Sequence, residues 1–145
     1  MSFIKKVEVH TSMKNGIHNF NEDIKISIEV YCSSKIAEPA VSYQILNNDN
    51  ISLVHELNLN SENEFCQEKG IFKLTSTIKK PKLYQGLYKL NVYFADNFTK
   101  SSIDTMMEKC NFEIINTNKR TYYWQNGTAQ YKENDTNWEI MKIID

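Results

Sequence analysis

Apolar and polar residues alternate along most of this chain with a period of two residues. In the segment DIKISIEVYC, residues 23–32, isoleucine or valine occupies every second position from Ile24 to Val30, and polar residues lie between them. A strand that buries one face and exposes the other has this period. The alternation therefore predicts a structure built almost entirely from β-strands.

Seven segments show this pattern and predict seven short strands. Their residues are 3–9, 23–32, 40–47, 51–57, 70–78, 86–95 and 108–115. The turn cluster NNDN at 47–50 predicts a hairpin between the third and the fourth of them. A helical period extends over no more than one turn, near residues 61–69 or 103–108. Short strands separated by turns predict an all-β fold, a two-sheet antiparallel β-sandwich.

The length and charge of the chain narrow its class. With 145 residues, the chain is predicted to form one domain, residues 1–145, that buries its own core. A net charge of -1 argues against nucleic acid or an anionic membrane as a partner. No apolar run approaches the roughly 18 residues of a membrane span, and the start MSFIKKVEV lacks the apolar core of a signal peptide.

The three cysteines give an expectation about the compartment. Cys32, Cys66 and Cys110 are an odd number and have no metal-ligand spacing. We expect them to be small buried or half-buried hydrophobes in a reducing compartment, the cytoplasm.

The last 30 residues carry a different pattern from the rest of the chain. Segments 127–132 and 138–144 are candidates for two further strands, and the second is strongly apolar for a chain end. Such a segment either completes its own sandwich or pairs with the edge of another chain. We expect residues from about 127 to 145 to form a dimerisation segment. Its contact residues would be Trp138, Ile140 and Ile143.

Motifs of catalysis are missing from the sequence. His10, His18 and His55 form no metal-binding pattern, and no nucleophile motif is present. With 4 glycines in the chain, a phosphate-binding loop is disfavoured. Because carboxylates are frequent, a glycosidase-like pair of acids stays as an alternative. We predict a protein without catalytic residues, metal or cofactor.

Aromatic and amide side chains are the chemistry that the sequence does offer. The chain holds 8 Tyr, 7 Phe and 2 Trp beside frequent asparagines. In the strand at 86–95, Asn91 and Tyr93 share the polar parity. Aromatic faces stack on the C–H faces of sugar rings, and amides pair with hydroxyls, so this pattern favours carbohydrate binding. The alternative is a solvated face, because Tyr is a good strand former and an A/T-rich genome encodes many asparagines.

The order of these features resembles a known family. The most specific pieces are F-N-E-D at 20–23, L-Y-x-G-x-Y-x-L at 83–90 and F-E-I at 112–114, with a late NWEI. Over roughly residues 3 to 142, the chain resembles the C-terminal carbohydrate-binding domain of Wzt-type ATPases. These ATPases are the nucleotide-binding subunits of ABC transporters that export bacterial O-antigen polysaccharides.

The resemblance implies properties that the composition does not show. It implies an immunoglobulin-like sandwich that forms a homodimer by exchanging its C-terminal strand, and that binds the exported O-antigen polysaccharide without catalysis. The implied partners are a transporter ATPase domain and its membrane subunit, at the cytoplasmic face of the inner membrane. No Walker motif is present here, so ATPase activity would belong to a separate domain. A dimerisation or regulatory module without glycan contact is the alternative.

In an immunoglobulin-like order, the strands at 40–47, 86–95 and 108–115 are neighbours in one sheet. Their outward polar residues form the candidate glycan-binding face. The candidate residues are Ser42, Gln44, Lys89, Asn91, Tyr93, Asn111 and Glu113. Tyr31 is expected in the other sheet, and Tyr122, Tyr123 and Trp124 are expected to form a wall or a dimer contact.

Overall fold

The computed structural model describes residues 1–117, 127–133 and 136–143, and within them the chain forms eight strands and no helix. None of these residues belongs to a helix that could cross a membrane. The strands are β1 (Phe3–His10), β2 (Ile17–Asn19), β3 (Ile24–Cys32), β4 (Pro39–Asn47), β5 (Ser52–Leu59), β6 (Gly70–Ile78), β7 (Gly86–Asp96) and β8 (Ser101–Ile115).

Six of the seven predicted strands lie within about two residues of observed ones. Strand β2 was not predicted, since three residues are too few to show a period. Strand β8 begins at Ser101 and includes the segment 103–108, which showed a helical turn in the sequence. Glu108 and Cys110 have positive φ angles of 54° and 57°, and the resulting bulges break the alternation of β8.

The strands form two sheets, which confirms the predicted all-β sandwich. One sheet has the order β1-β3-β6 and the other the order β2-β8-β7-β4-β5. Strands β4 and β5 pair antiparallel and form the hairpin predicted from the turn cluster at 47–50. All pairs are antiparallel except the short edge strand β2 with β8, which run parallel.

The core lies between the two sheets. It is filled by the inward residues of both, and Val30, Ile45, Leu90 and Phe94 are completely buried. Burying one such side chain contributes about 1.5–3 kcal/mol. These residues come from the predicted apolar parity of β3, β4 and β7, so the pattern in the sequence identified the inner faces correctly.

The two long sides of the sandwich differ. On one side, strands β1 and β8 are linked, because the Ile4 amide donates to Asp104 Oδ2 at 2.8 Å and the Cys110 thiol donates to the Val7 carbonyl at 3.3 Å. On the other side, β5 and β6 are the edge strands of their sheets. A cleft therefore remains open between β5 and β6.

The cysteines contradict part of the expectation. Cys32 and Cys66 are completely buried, as predicted, but they form a disulfide across 34 residues of sequence, and Cys110 stays outside it. The pairing arises because the end of β3 meets the loop that precedes β6, a contact that no local pattern reveals. The expectation of a reducing compartment rested on three free cysteines, and the disulfide removes that basis.

The C-terminal segment does not form the two strands considered from the sequence. Residues 127–132 contribute one isolated bridge, between Leu83 and Tyr131, and the described residues 136–143 contain no strand. Trp138, Ile140 and Ile143 are 88%, 95% and 82% exposed. The sandwich therefore does not cover this apolar segment, and its pairing with a partner stays a prediction. Tyr122, Tyr123 and Trp124 lie outside the described residues.

Candidate functional site

Four of the seven candidate residues meet on the outer face of the five-stranded sheet. Strand pairing places Ser42 opposite Tyr93 and Gln44 opposite Asn91, and directly opposed residues share one face. We call Ser42, Gln44, Asn91 and Tyr93 the amide–aromatic face. The face exists because β4 and β7 keep their alternation, so that every inward apolar residue has an outward polar neighbour.

A hydrogen-bond network fixes the side chains of this face. The Tyr93 hydroxyl donates to Gln44 Oε1 at 3.0 Å, and Asn91 Nδ2 donates to the same oxygen at 3.3 Å. Asn91 Oδ1 accepts from the backbone amide of Glu108 at 2.9 Å. The Tyr93 hydroxyl and Asn91 Nδ2 thus both donate to Gln44 Oε1. The Nε2 group of Gln44 has no hydrogen-bond partner among the described residues.

The expectation that Asn91 presents its amide to solvent is wrong. Asn91 is 6% exposed, although its strand position points outward. Both ends of its amide are engaged in the network, one with Gln44 and the other with the backbone of β8. Asn91 thus positions Gln44 and connects β7 to β8, while the half-buried side chains of Ser42, Gln44 and Tyr93 remain accessible.

The other three candidate residues lie further along the sheet. Lys89, Asn111 and Glu113 line a depression of about 370 Å³. Glu113 is opposite Leu87, six residues before Tyr93 along β7, which corresponds to about 20 Å of strand. The candidate residues therefore form two neighbouring groups rather than one compact site.

Lys89 links the depression to the amide–aromatic face through Glu108. Its Nζ atom forms a salt bridge of 2.9 Å with Glu108 Oε1, and the backbone amide of Glu108 holds Asn91. The hydrogen bond from Lys89 is the main cause that lowers the pKa of the Glu108 carboxyl below its ordinary range. The pair is partly exposed and thus adds polar surface without a large unbalanced charge.

A close backbone approach shapes the depression. Gly16 has a φ of +70°, and a Cβ at this position would lie 3.1 Å from the Asn111 carbonyl oxygen. The Glu113 amide donates to the Gly16 carbonyl at 2.8 Å. A glycine is favoured here because the left-handed φ and the short approach both strain a larger residue.

Sequence reasoning missed residues that the neighbouring strands add to this surface. His55 is opposite Gln44 and Leu57 is opposite Ser42, both on β5, and Thr105 of β8 is opposite Tyr93. The predicted hairpin already placed residues 51–57 beside 40–47, so strand parity was a signal for His55 and Leu57. The bulges of β8 hid Thr105.

The chemistry of the surface is that of neutral hydrogen bonding beside an aromatic ring. Amide and hydroxyl groups dominate, and the charges of Lys89 and Glu108 offset each other. Among residues 1–117, 127–133 and 136–143, no group of three or more His, Cys, Asp or Glu side chains could hold a metal ion. The arrangement suits a neutral polyhydroxylated ligand.

The fold is similar to a crystal structure described as the C-terminal domain of wzt, with a TM-score of 0.73 and 10% identity over 96% of this chain and 84% of that chain. A beta-glucuronidase from glycoside hydrolase family 2 matches with a TM-score of 0.50 and 17% identity, over 72% of this chain and 12% of that chain. A calcium binding mutant of Bacteroides uniformis beta-glucuronidase 2 matches with a TM-score of 0.52 and 15% identity, over 77% and 14%.

At these identities the likeness concerns the fold alone, and the chain spans a small part of the two enzymes. No curated protein sequence matches this chain. The family model of the Wzt C-terminal domain matches residues 4–128, which is most of the sequence. The chain therefore belongs to the Wzt C-terminal domain family.

Proposed function

We propose that this domain binds a bacterial O-antigen polysaccharide on its amide–aromatic face and presents it for export by an ABC transporter, without catalysing a reaction. The observation that carries the proposal is the outward Tyr93 ring, fixed by its hydrogen bond to Gln44. Membership of the Wzt C-terminal domain family supports a carbohydrate-binding role in a transporter.

The geometry favours a sugar over other ligands for three reasons. The Tyr93 ring offers a flat apolar surface to the C–H face of a pyranose. Gln44 Nε2 and the Ser42 hydroxyl lie beside the ring and match sugar hydroxyls as donor and acceptor. Because the side chains stand on a sheet and are held by the network, little conformational entropy is lost on binding.

The proposal extends to the assembly in which the domain acts. Family membership supports a transporter ATPase domain and its membrane subunit as partners, at the cytoplasmic face of the inner membrane. We place the homodimer contact in the segment from about 127 to 145, where Trp138, Ile140 and Ile143 are exposed and apolar. Two copies would then present two glycan-binding faces to one polymer.

Titration of the 145-residue chain with the O-polysaccharide of the bacterium that encodes it tests the proposal. We expect calorimetric binding to this polymer and none to an unrelated neutral polysaccharide. Tyr93→Ala should weaken the binding by about tenfold or more. Tyr31→Ala is the matched control, because Tyr31 stands on the other sheet, where it packs against Phe3 with ring centroids 5.3 Å apart. Equal binding of both polymers, or loss in both variants, would contradict the proposal.

A second candidate function is a dimerisation or regulatory module without glycan contact. The apolar tail favours it, since Trp138 and Ile140 are 88% and 95% exposed in the single chain. In that case Tyr93→Ala would leave polysaccharide export in cells unchanged, while removal of residues 137–145 would abolish it. The glycan-binding proposal expects export to fail in Tyr93→Ala.

A further inference from the structure

The cleft between the edge strands β5 and β6 is polar where a sandwich is normally apolar. Glu56 is opposite the buried Tyr43 and Asn58 is opposite the buried Val41, so both occupy inward positions of β5. The cleft has a volume of about 520 Å³, and Phe72 and Leu74 of β6 line its other wall. At its floor, the Tyr43 hydroxyl and Ser76 Oγ are 2.8 Å apart and link the two sheets.

Asn58 carries an unused donor in this cleft. Its Oδ1 atom accepts a hydrogen bond from Asn63 Nδ2 at 3.1 Å. Its Nδ2 atom is buried and has no hydrogen-bond partner among the described residues. A buried donor without an acceptor is costly. Because this atom is closed to solvent, an oxygen of a ligand in the cleft satisfies it only when the Asn58 side chain turns towards the cleft.

The rest of the lining defines the class of ligand. The walls include Phe72, Leu74 and Val41, which offer apolar contact. The polar lining groups carry more negative than positive charge, since Glu56, Glu62 and Glu64 stand against Lys73. An anionic ligand is therefore disfavoured. A neutral sugar residue, apolar on one face and hydroxylated at its edge, fits both the walls and the donor.

The cleft is continuous with the amide–aromatic face. Tyr93 is opposite Ser42, and Ser42 is opposite Leu57 of the edge strand. Leu57 also lines the cleft and is 44% exposed. The row from Tyr93 to Leu57 crosses two strand spacings, about 10 Å. A polymer lying on this row reaches the mouth of the cleft.

We propose that the β5–β6 cleft is a second sugar-binding site, which holds another residue of the same polysaccharide chain that stacks on Tyr93. This inference rests on the function proposed above and extends it around the edge of the sheet. One polymer then makes two linked contacts, and the second contact becomes intramolecular once the first has formed. Linked contacts strengthen binding far beyond either contact alone.

The polar residues of the cleft have a simpler explanation, which is that they prevent the edge strand β5 from pairing with another chain. An inward charge such as Glu56 on an edge strand discourages pairing with another chain. Under that explanation, the Asn58 amide would play no part in glycan affinity. Changes at Asn58 distinguish the two explanations, because this side chain is neutral and its Nδ2 group is the unused donor.

The test compares three chains by calorimetric titration with the encoding bacterium's O-polysaccharide. Asn58→Asp keeps the size of the side chain and replaces the donor with an oxygen. Asn97→Asp is the control, since Asn97 lies exposed in the turn between β7 and β8, outside the cleft. We expect the affinity to fall about tenfold or more in Asn58→Asp and to stay unchanged in Asn97→Asp.

Nuclear magnetic resonance of the unsubstituted chain gives a readout that does not depend on a variant. The side-chain amide signal of Asn58 should shift when the polysaccharide is added. Binding with unchanged affinity in Asn58→Asp and an unmoved Asn58 signal would overturn the cleft site, and loss of binding in Tyr93→Ala would still support the face. Absence of any binding to the unsubstituted chain would overturn both.

Discussion

The hydroxyl of Tyr93 donates a hydrogen bond of 3.0 Å to Oε1 of Gln44, which lies 49 residues earlier in the chain. The bond runs diagonally between β7 and β4, because Tyr93 is directly opposite Ser42. It orients the Tyr93 ring and turns the Nε2 group of Gln44 away from the network. This single contact therefore prepares both the stacking surface and the donor beside it.

The first prediction separates the ring of Tyr93 from its hydroxyl. Tyr93→Phe removes the bond to Gln44 but keeps the ring, and should cost about 0.5–1.5 kcal/mol of unfolding free energy. Glycan affinity should fall moderately in this variant and by about tenfold or more in Tyr93→Ala, which also loses the ring. Urea unfolding and calorimetric titration measure the two effects. Equal glycan affinity in Tyr93→Phe and Tyr93→Ala would mean that the ring makes no contact with the sugar.

The second prediction concerns the salt bridge between Lys89 and Glu108. The hydrogen bond from Lys89 holds the pKa of Glu108 below its ordinary value of 4.5. The folded state thus binds the proton less tightly than the unfolded chain, so the stabilisation is complete above about pH 4.5 and is lost as the pH falls through the lower folded pKa. The melting temperature of the unsubstituted protein should therefore exceed that of Glu108→Gln, and the difference should be largest near neutral pH.

Circular dichroism melts between about pH 3 and pH 7 measure this difference. It should shrink below about pH 4.5 as the Glu108 carboxylate becomes protonated. Glu113→Gln is the control on the same strand, because Glu113 makes no ion pair among the described residues. A difference between the protein and Glu108→Gln that stays constant down to pH 3 would show that the salt bridge does not stabilise the fold.

The third prediction concerns the disulfide between Cys32 and Cys66. A bond that closes 34 residues of sequence stabilises by about 4 kcal/mol through the entropy of the unfolded chain. Replacing both cysteines with serine should lower the unfolding free energy by about this amount, and a reductant should lower the melting temperature of the unsubstituted protein. Cys110→Ser should be nearly neutral. Alkylation and mass spectrometry of the unreduced, unfolded protein should find one thiol; three thiols would show that the bond does not form.

The fourth prediction concerns the tail. Removing residues 137–145 takes away Trp138, Ile140 and Ile143, the exposed apolar residues of the proposed dimer contact. Burial of Trp138 alone contributes about 2–3 kcal/mol. Light scattering should show a dimer for the complete chain and a monomer for the truncated one. A truncated protein that stays a soluble dimer with the same affinity would place the subunit contact elsewhere.

The sequence by itself determined the fold class and the inner and outer faces of the main strands. Period-2 alternation is a local property, and each turn joins segments that are close in the sequence. The pattern therefore identified β3, β4 and β7 with their buried residues, and the hairpin of β4 and β5. It also gave Ser42 and Gln44 the same parity, because parity within a strand follows from backbone geometry alone. That Tyr93 shares their face followed from the strand order that the family resemblance implies.

The tertiary structure decided what depends on contacts between distant residues. Asn91 is buried and bonded to the backbone of β8, and Asn111 and Glu113 line a separate depression. The disulfide joins Cys32 to a loop 34 residues away, and the open edge between β5 and β6 turns Asn58 into the wall of a cleft. Local periodicity carries no information on register shifts or on which edges of a sandwich stay open, since the packing of whole sheets fixes both.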